Sequence, residues 1–124
     1  MAREPGAQQA TDLLNRDDLV APSLLAVEVT SALARKVQAG EMSREQAREG
    51  LDLIFARIEF QQPTLELATA TIALSLELKH SVYDCTYLAL AEAIGGQLAT
   101  HDDQLSGRIR RSGRGQLLLP LVTV

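Results

Sequence analysis

At 124 residues the chain has the size of one small domain, long enough to enclose a single hydrophobic core and too short for two. Apolar residues make up 46% and charged residues 23%, close to globular averages, which excludes a disordered polymer and a disulfide scaffold. A formal charge of −4 and only 3% aromatic residues provide neither a basic field nor base-stacking rings, so composition alone speaks mildly against a nucleic-acid partner.

Residues 8–15, with Ala10, Leu13 and Leu14 on one side, predict a short helix. A short strand at 19–21 is stopped by Pro22. Over 23–39 the apolar positions Leu25, Val29, Leu33 and Val37 recur every four residues, and Gly40 supplies a left-handed stop. Ser43 with Gln46 three residues on is a capping box, after which Ala47, Leu51, Ile54, Phe55 and Ile58 continue a helical face. Alternation at 57–61 before Pro63 predicts a brief strand. Thr64 caps a helix to Lys79 with Leu65, Ala68, Ile72 and Leu76 on one stripe and Leu67, Leu74 and Leu78 beside it, a face wide enough to predict deep burial. Residues 81–94 carry Val82, Cys85, Leu88, Ala89 and Ala93 at helical spacing and end in Gly95-Gly96. A strand at 97–100, a helix at 103–111, a turn at 112–115 and an apolar strand at 116–119 complete the pattern. Helices alternating with short apolar runs imply a single α/β domain wound around a parallel sheet.

Most of the 16 acidic residues fall on exposed helical positions and require no function. Three stand apart. Glu28 lies in a nearly unbroken apolar stretch of a helix expected to be buried, where a carboxylate is costly without a partner. Asp84 sits among Val82, Tyr83 and Cys85 in the first turn of another apolar helix, and Asp102 follows a strand at its carboxyl end, where wound sheets place ligands. Each also has an ordinary structural explanation: Arg35, Lys36 or solvent for Glu28, the helix dipole for Asp84, an N-cap for Asp102. Together, three converging carboxylates repel one another unless a cation holds them ionised. Oxygen donors without neighbouring Cys or His ligands suit Mg²⁺ or Mn²⁺ better than zinc. His101 adjoins Asp102, but strand alternation points it to the opposite face.

On these residues the chain resembles the PIN-domain family, in particular VapC-type toxins of toxin–antitoxin pairs. The carrying segments are residues 20–29 around Glu28, residues 81–92 around Asp84, and residues 98–102 ending in Asp102. The eighteen-residue step from Asp84 to Asp102, filled by helix, two glycines and strand, matches the family's arrangement. The resemblance implies a three-layer α/β/α fold with a short parallel sheet and acidic residues around one or two Mg²⁺ or Mn²⁺ ions. Glu28, Asp84 and Asp102 would be the second, third and fourth of those acids, Thr100 a hydrogen-bonding support and Asp103 a spare carboxylate at the rim. It further implies an endoribonuclease activity on RNA in which the metal acidifies an attacking water, a cognate antitoxin partner, and a homodimer.

Family members usually open with a strand that carries the first acid, and this sequence opens past it. The expectation is therefore a sheet without its central first strand, through either a start at an internal Met or a genuine loss. Asp12, Asp17 and Asp18 lie in or after the following helix and do not replace that acid. The competing expectation is a catalytically inactive PIN-fold binding module that still accepts an antitoxin or partner helix on residues 23–39 and 43–57. A phosphotransfer domain ranks last, because no lysine follows Lys79.

Arg108, Arg110, Arg111 and Arg114 are the one basic concentration, read either as a helix end favoured by its dipole or as candidate RNA contacts. No apolar run approaches the roughly 20 residues of a membrane span, Met1 to Gly6 has no export signal, and the lone Cys85 forms no internal bridge. The expected setting is the cytoplasm.

Overall fold

Residues 18–119 are described by a computed structural model. Their backbone holds five helices and a short two-stranded parallel sheet, a mostly helical arrangement consistent with the expected α/β, PIN-like fold. The chain divides by contacts into two units, Met1–Gln62 and Pro63–Val124. The helix expected at 8–15 lies outside the described residues, as do Asp12 and Asp17.

In the first unit, β1 (Leu19–Pro22) pairs in parallel with β2 (Ile58–Gln61), Leu19 opposite Ile58 and Pro22 opposite Gln61. Parallel pairing requires a long crossover, and α1 (Leu24–Gln38) and α2 (Arg44–Arg57) provide it. The Ser23 amide continues the pairing by donating to the Gln61 carbonyl at 2.9 Å. Pro22 is tolerated because it ends its strand, where its missing N–H breaks no internal rung.

The local stop and start signals hold. Gly40 adopts φ +76°, and the capping box is closed in both directions: the Gln46 amide donates to Ser43 Oγ at 3.0 Å, and the Ser43 amide donates to Gln46 Oε1 at 2.9 Å. Such a cap is worth about 1 kcal/mol. The expected burial of the helix carrying Glu28 does not hold. No residue of α1 is buried, Glu28 is exposed, and Val27 beside it is 66% exposed. An apolar stripe shows which side a helix prefers to cover and cannot say how much neighbouring structure covers it.

The second unit contains α3 (Leu65–Leu78), α4 (Val82–Ile94) and α5 (Asp103–Arg111), followed by a 3-10 turn, Gly115–Leu117. Its core is one cluster: Leu74 and Leu78 from α3, Cys85, Leu88, Ala89 and Ala91 from α4, Leu98, and Leu105 and Ile109 from α5. On α3 the buried set is Thr71, Leu74 and Leu78, one stripe, whereas Leu65, Ile72 and Leu76 on the other face are 80%, 57% and 75% exposed. The expected deep burial of the whole apolar face is thus corrected to burial of one side, because α3 packs against α4 along one line.

The strands expected at 97–100 and 116–119 are a single parallel bridge, Leu98 with Leu118. The Leu98 amide donates to the Leu117 carbonyl at 2.6 Å and the Leu119 amide to the Leu98 carbonyl at 2.8 Å. The 3-10 turn uses up the residues that would have lengthened the second strand, so apolar runs that read as strands pair only at their centre. Among the described residues no helix is long and apolar enough to cross a membrane.

Candidate metal centre

Two helix starts build the site. Ser81 caps α4, its Oγ accepting from the Asp84 amide at 3.2 Å, which sets Asp84 in the first turn. Asp102 is the N-cap of α5, its Oδ1 accepting from the Leu105 amide at 3.0 Å. Each acid therefore sits at the positive end of a helix dipole, where a carboxylate is favoured by about 0.3–1 kcal/mol. The ordinary structural roles foreseen for Asp84 and Asp102 are real and coexist with a ligand geometry. Donor atoms of Asp84, Asp102 and His80 all lie within 4.8 Å of one another. Ligand oxygens sit about 2.0–2.6 Å from Mg²⁺ or Ca²⁺, so small adjustments of the Asp84 and Asp102 side chains bring the two carboxylates around one cation.

His80 was not singled out in the sequence. Its Nε2 lies 2.8 Å from Asp84 Oδ2 and its Nδ1 2.9 Å from Arg108 Nη1, and its side chain is 8% exposed. The one available signal was its position four residues before Asp84, which is weak because His80 precedes the helix and helical spacing does not apply there. The partner that makes it informative, Arg108, is remote in sequence.

Thr100 Oγ1 accepts from the Asp102 amide at 3.1 Å, so it supports the Asp102 backbone. Asp103 is the exposed first residue of α5. Glu28 belongs to the first unit and is an exposed residue of α1. Cys85 adjoins the site without joining it: the side chain is fully buried, and burial, reinforced by the charge of Asp84, pushes the thiol up from its usual value. Its sulfur is not among the donor atoms gathered with Asp84 and Asp102.

The arginines divide. Arg108 is tied to the Lys79 carbonyl and His80, and Arg114 to Glu77 and Glu92, joining α3 to α4. Arg110 and Arg111 remain exposed in the last turn of α5. The hydrogen bond from Arg114 holds the Glu77 carboxyl below the usual glutamate range, burial opposing and the guanidinium charge assisting. A depressed folded-state value means that the unfolded chain takes up the proton first on acidification. The pair's contribution is therefore present above the ordinary glutamate range and lost as pH falls through the folded value. Arg114→Gln is expected to flatten the acid-side rise of stability with pH, measured as urea midpoints from neutral into the acid range; an unchanged slope would remove the pair from the stability account.

A family model for the PIN domain matches residues 1–109. The chain belongs to the PIN-domain family. Within it the chain is similar to Ribonuclease VapC1 of Mycobacterium tuberculosis, 40% identical over 88 residues covering 69% of this chain and 64% of the relative. It is also similar to Ribonuclease VapC3 of Pyrobaculum aerophilum, 32% identical over 105 residues, 83% of this chain and 76% of the relative. The chain thus spans just under two thirds of the length of the VapC1 proteins it matches. Asp84 and Asp102, which carried the PIN resemblance in the sequence, are the two acids that the second unit brings together.

Proposed function

We propose that this PIN-domain chain is the ribonuclease toxin of a VapBC-type toxin–antitoxin pair, acting on RNA with Mg²⁺ or Mn²⁺ and restrained by a cognate antitoxin. The observation that carries the reading is the approach of Asp84 and Asp102 at two helix starts in a family whose similar members are named ribonucleases. Carboxylate oxygens favour a hard divalent cation. Glu28 is proposed as a further acid of the same site, on the resemblance of its segment to the family. The proposed setting is one domain, working as a homodimer in the cytoplasm.

When bound, the cation supplies Lewis acidity at the phosphodiester and an acidified water. The chain's own residues do the positioning. Asp84 and Asp102 each commit one oxygen to the fold, Oδ2 to His80 and Oδ1 to the Leu105 amide, and present the other outside those bonds. Thr100 fixes the Asp102 backbone, Asp103 stands at the rim, and the exposed Arg110 and Arg111 are the proposed phosphate contacts, since Arg108 and Arg114 are engaged internally. With a net charge of −4, any RNA attraction is local to such residues.

The test is cleavage of RNA by the complete gene product. Activity that EDTA abolishes and Mg²⁺ or Mn²⁺ restores supports the reading; metal-independent cleavage, or none under any cation, overturns it. The second reading, an inactive binding module, is favoured by the exposed Val27, Leu53 and Phe55 on α1 and α2, the helices expected to accept a partner helix. Antitoxin binding without cleavage or cation binding is its expected signature.

A further inference from the structure

We infer that His80 is a positioning residue that orients the Asp84 carboxylate and is not itself a ligand of the cation. Its purpose rests on the metal-dependent reading above, whereas its geometry stands independently. An arginine side chain only donates hydrogen bonds. Arg108 Nη1 lies 2.9 Å from His80 Nδ1, so Nδ1 is the acceptor and the ring proton resides on Nε2. That Nε2–H points at Asp84 Oδ2, 2.8 Å away. The three groups form one directed line: Arg108 donates to His80, and His80 donates to Asp84.

Both ring nitrogens are thereby occupied. Ligation through Nε2 would sacrifice the bond to Asp84, and ligation through Nδ1 would place a dication where the Arg108 guanidinium now sits. The ring is also held from behind. Lys79 adopts a left-handed φ of +54°, rare for a residue with a side chain, and Arg108 donates to its carbonyl. The His80 amide donates to the Ser75 carbonyl at 3.3 Å, and Ser75 Oγ donates to the His80 carbonyl at 2.6 Å. With the backbone pinned on both sides and the side chain 8% exposed, turning the imidazole toward a metal would break its bonds to Arg108 and Asp84.

The consequence is a division of labour on one carboxylate. Oδ2 is held by the imidazole, and Oδ1 is the oxygen available to an ion. Outer hydrogen-bonding partners of this kind fix ligand orientation, and their loss typically costs metal affinity about 10–100-fold. It also leaves an all-oxygen donor set, which selects Mg²⁺ or Mn²⁺ over Zn²⁺.

The experiment has two arms on the complete protein. Side-chain ¹⁵N–¹H correlation spectra of the metal-free protein, with His101→Gln separating the two histidines, are expected to show His80 protonated on Nε2 with Nδ1 an acceptor, and the same pattern after saturation with Mg²⁺. Calorimetry with Mg²⁺ alone is expected to show that His80→Ala weakens binding about 10–100-fold, whereas His80→Gln, which retains one acceptor and one donor, stays within about 3-fold of the parent. An Nδ1–H tautomer, loss of the Nε2 proton on metal addition, or equal losses for Gln and Ala would overturn the inference. If the alanine variant does not fold, the spectra of the His101→Gln protein decide. Should no cation bind while the Nε2–H pattern is found, the metal reading fails and the His80–Asp84 link stands.

Discussion

Asp84→Asn is expected to lower RNA cleavage by more than the roughly 10–100-fold typical of losing a hydrogen-bonding partner behind a metal ligand, because it removes ligand charge itself. The substitution is nearly isosteric. The backbone amide at this position still donates to Ser81 Oγ, and the amide oxygen can still accept from the His80 ring, so α4 keeps its cap. What disappears is one negative charge beside Asp102, and with it much of the attraction for a divalent cation. The measurement is kcat/KM on an RNA substrate across Mg²⁺ concentrations, with a thermal melt confirming the fold. A variant that cleaves within a few-fold of the parent would remove Asp84 from the centre.

Leu88→Ala is expected to destabilise the protein by about 2–5 kcal/mol, the range for deleting a fully buried leucine. Leu88 is 0% exposed and belongs to the core shared by α3, α4 and α5. Those helices also position Asp84 and Asp102, so the cavity lies in the structure that holds the site. Leu76→Ala on the exposed face of α3 is the control, with an expected change within about 0.5 kcal/mol. Urea unfolding followed by circular dichroism measures both. Comparable losses at the two positions would mean that the division of α3 into a buried and a free face is wrong.

The helices were legible residue by residue because their signals are local. A capping hydroxyl, a glutamine three residues on, a glycine able to take positive φ and an apolar repeat all act within one or two turns of the chain. This is why α5 begins at Asp103 and why Ser43, Thr64 and Ser81 each cap the helix they were expected to cap or precede. Asp84 stood out as a carboxylate in the first turn of an apolar helix, and Asp102 as one at the carboxyl end of an expected strand; the structure keeps the helix start for Asp84 and makes Asp102 an N-cap beyond a run that forms one bridge.

Tertiary structure decided what depends on residues far apart in sequence. A run such as 97–100 becomes a strand only when a partner offers it a ladder, and here residues 116–119 offer one bridge and then coil into a turn. Which stripe of α3 is buried was set by where α4 lies, and the two stripes are chemically alike in the sequence. His80 carried no meaning until Arg108 reached it. Periodicity and caps encode interactions with near neighbours, whereas burial, strand pairing and the orientation of a carboxylate are properties of whatever the folded chain brings alongside.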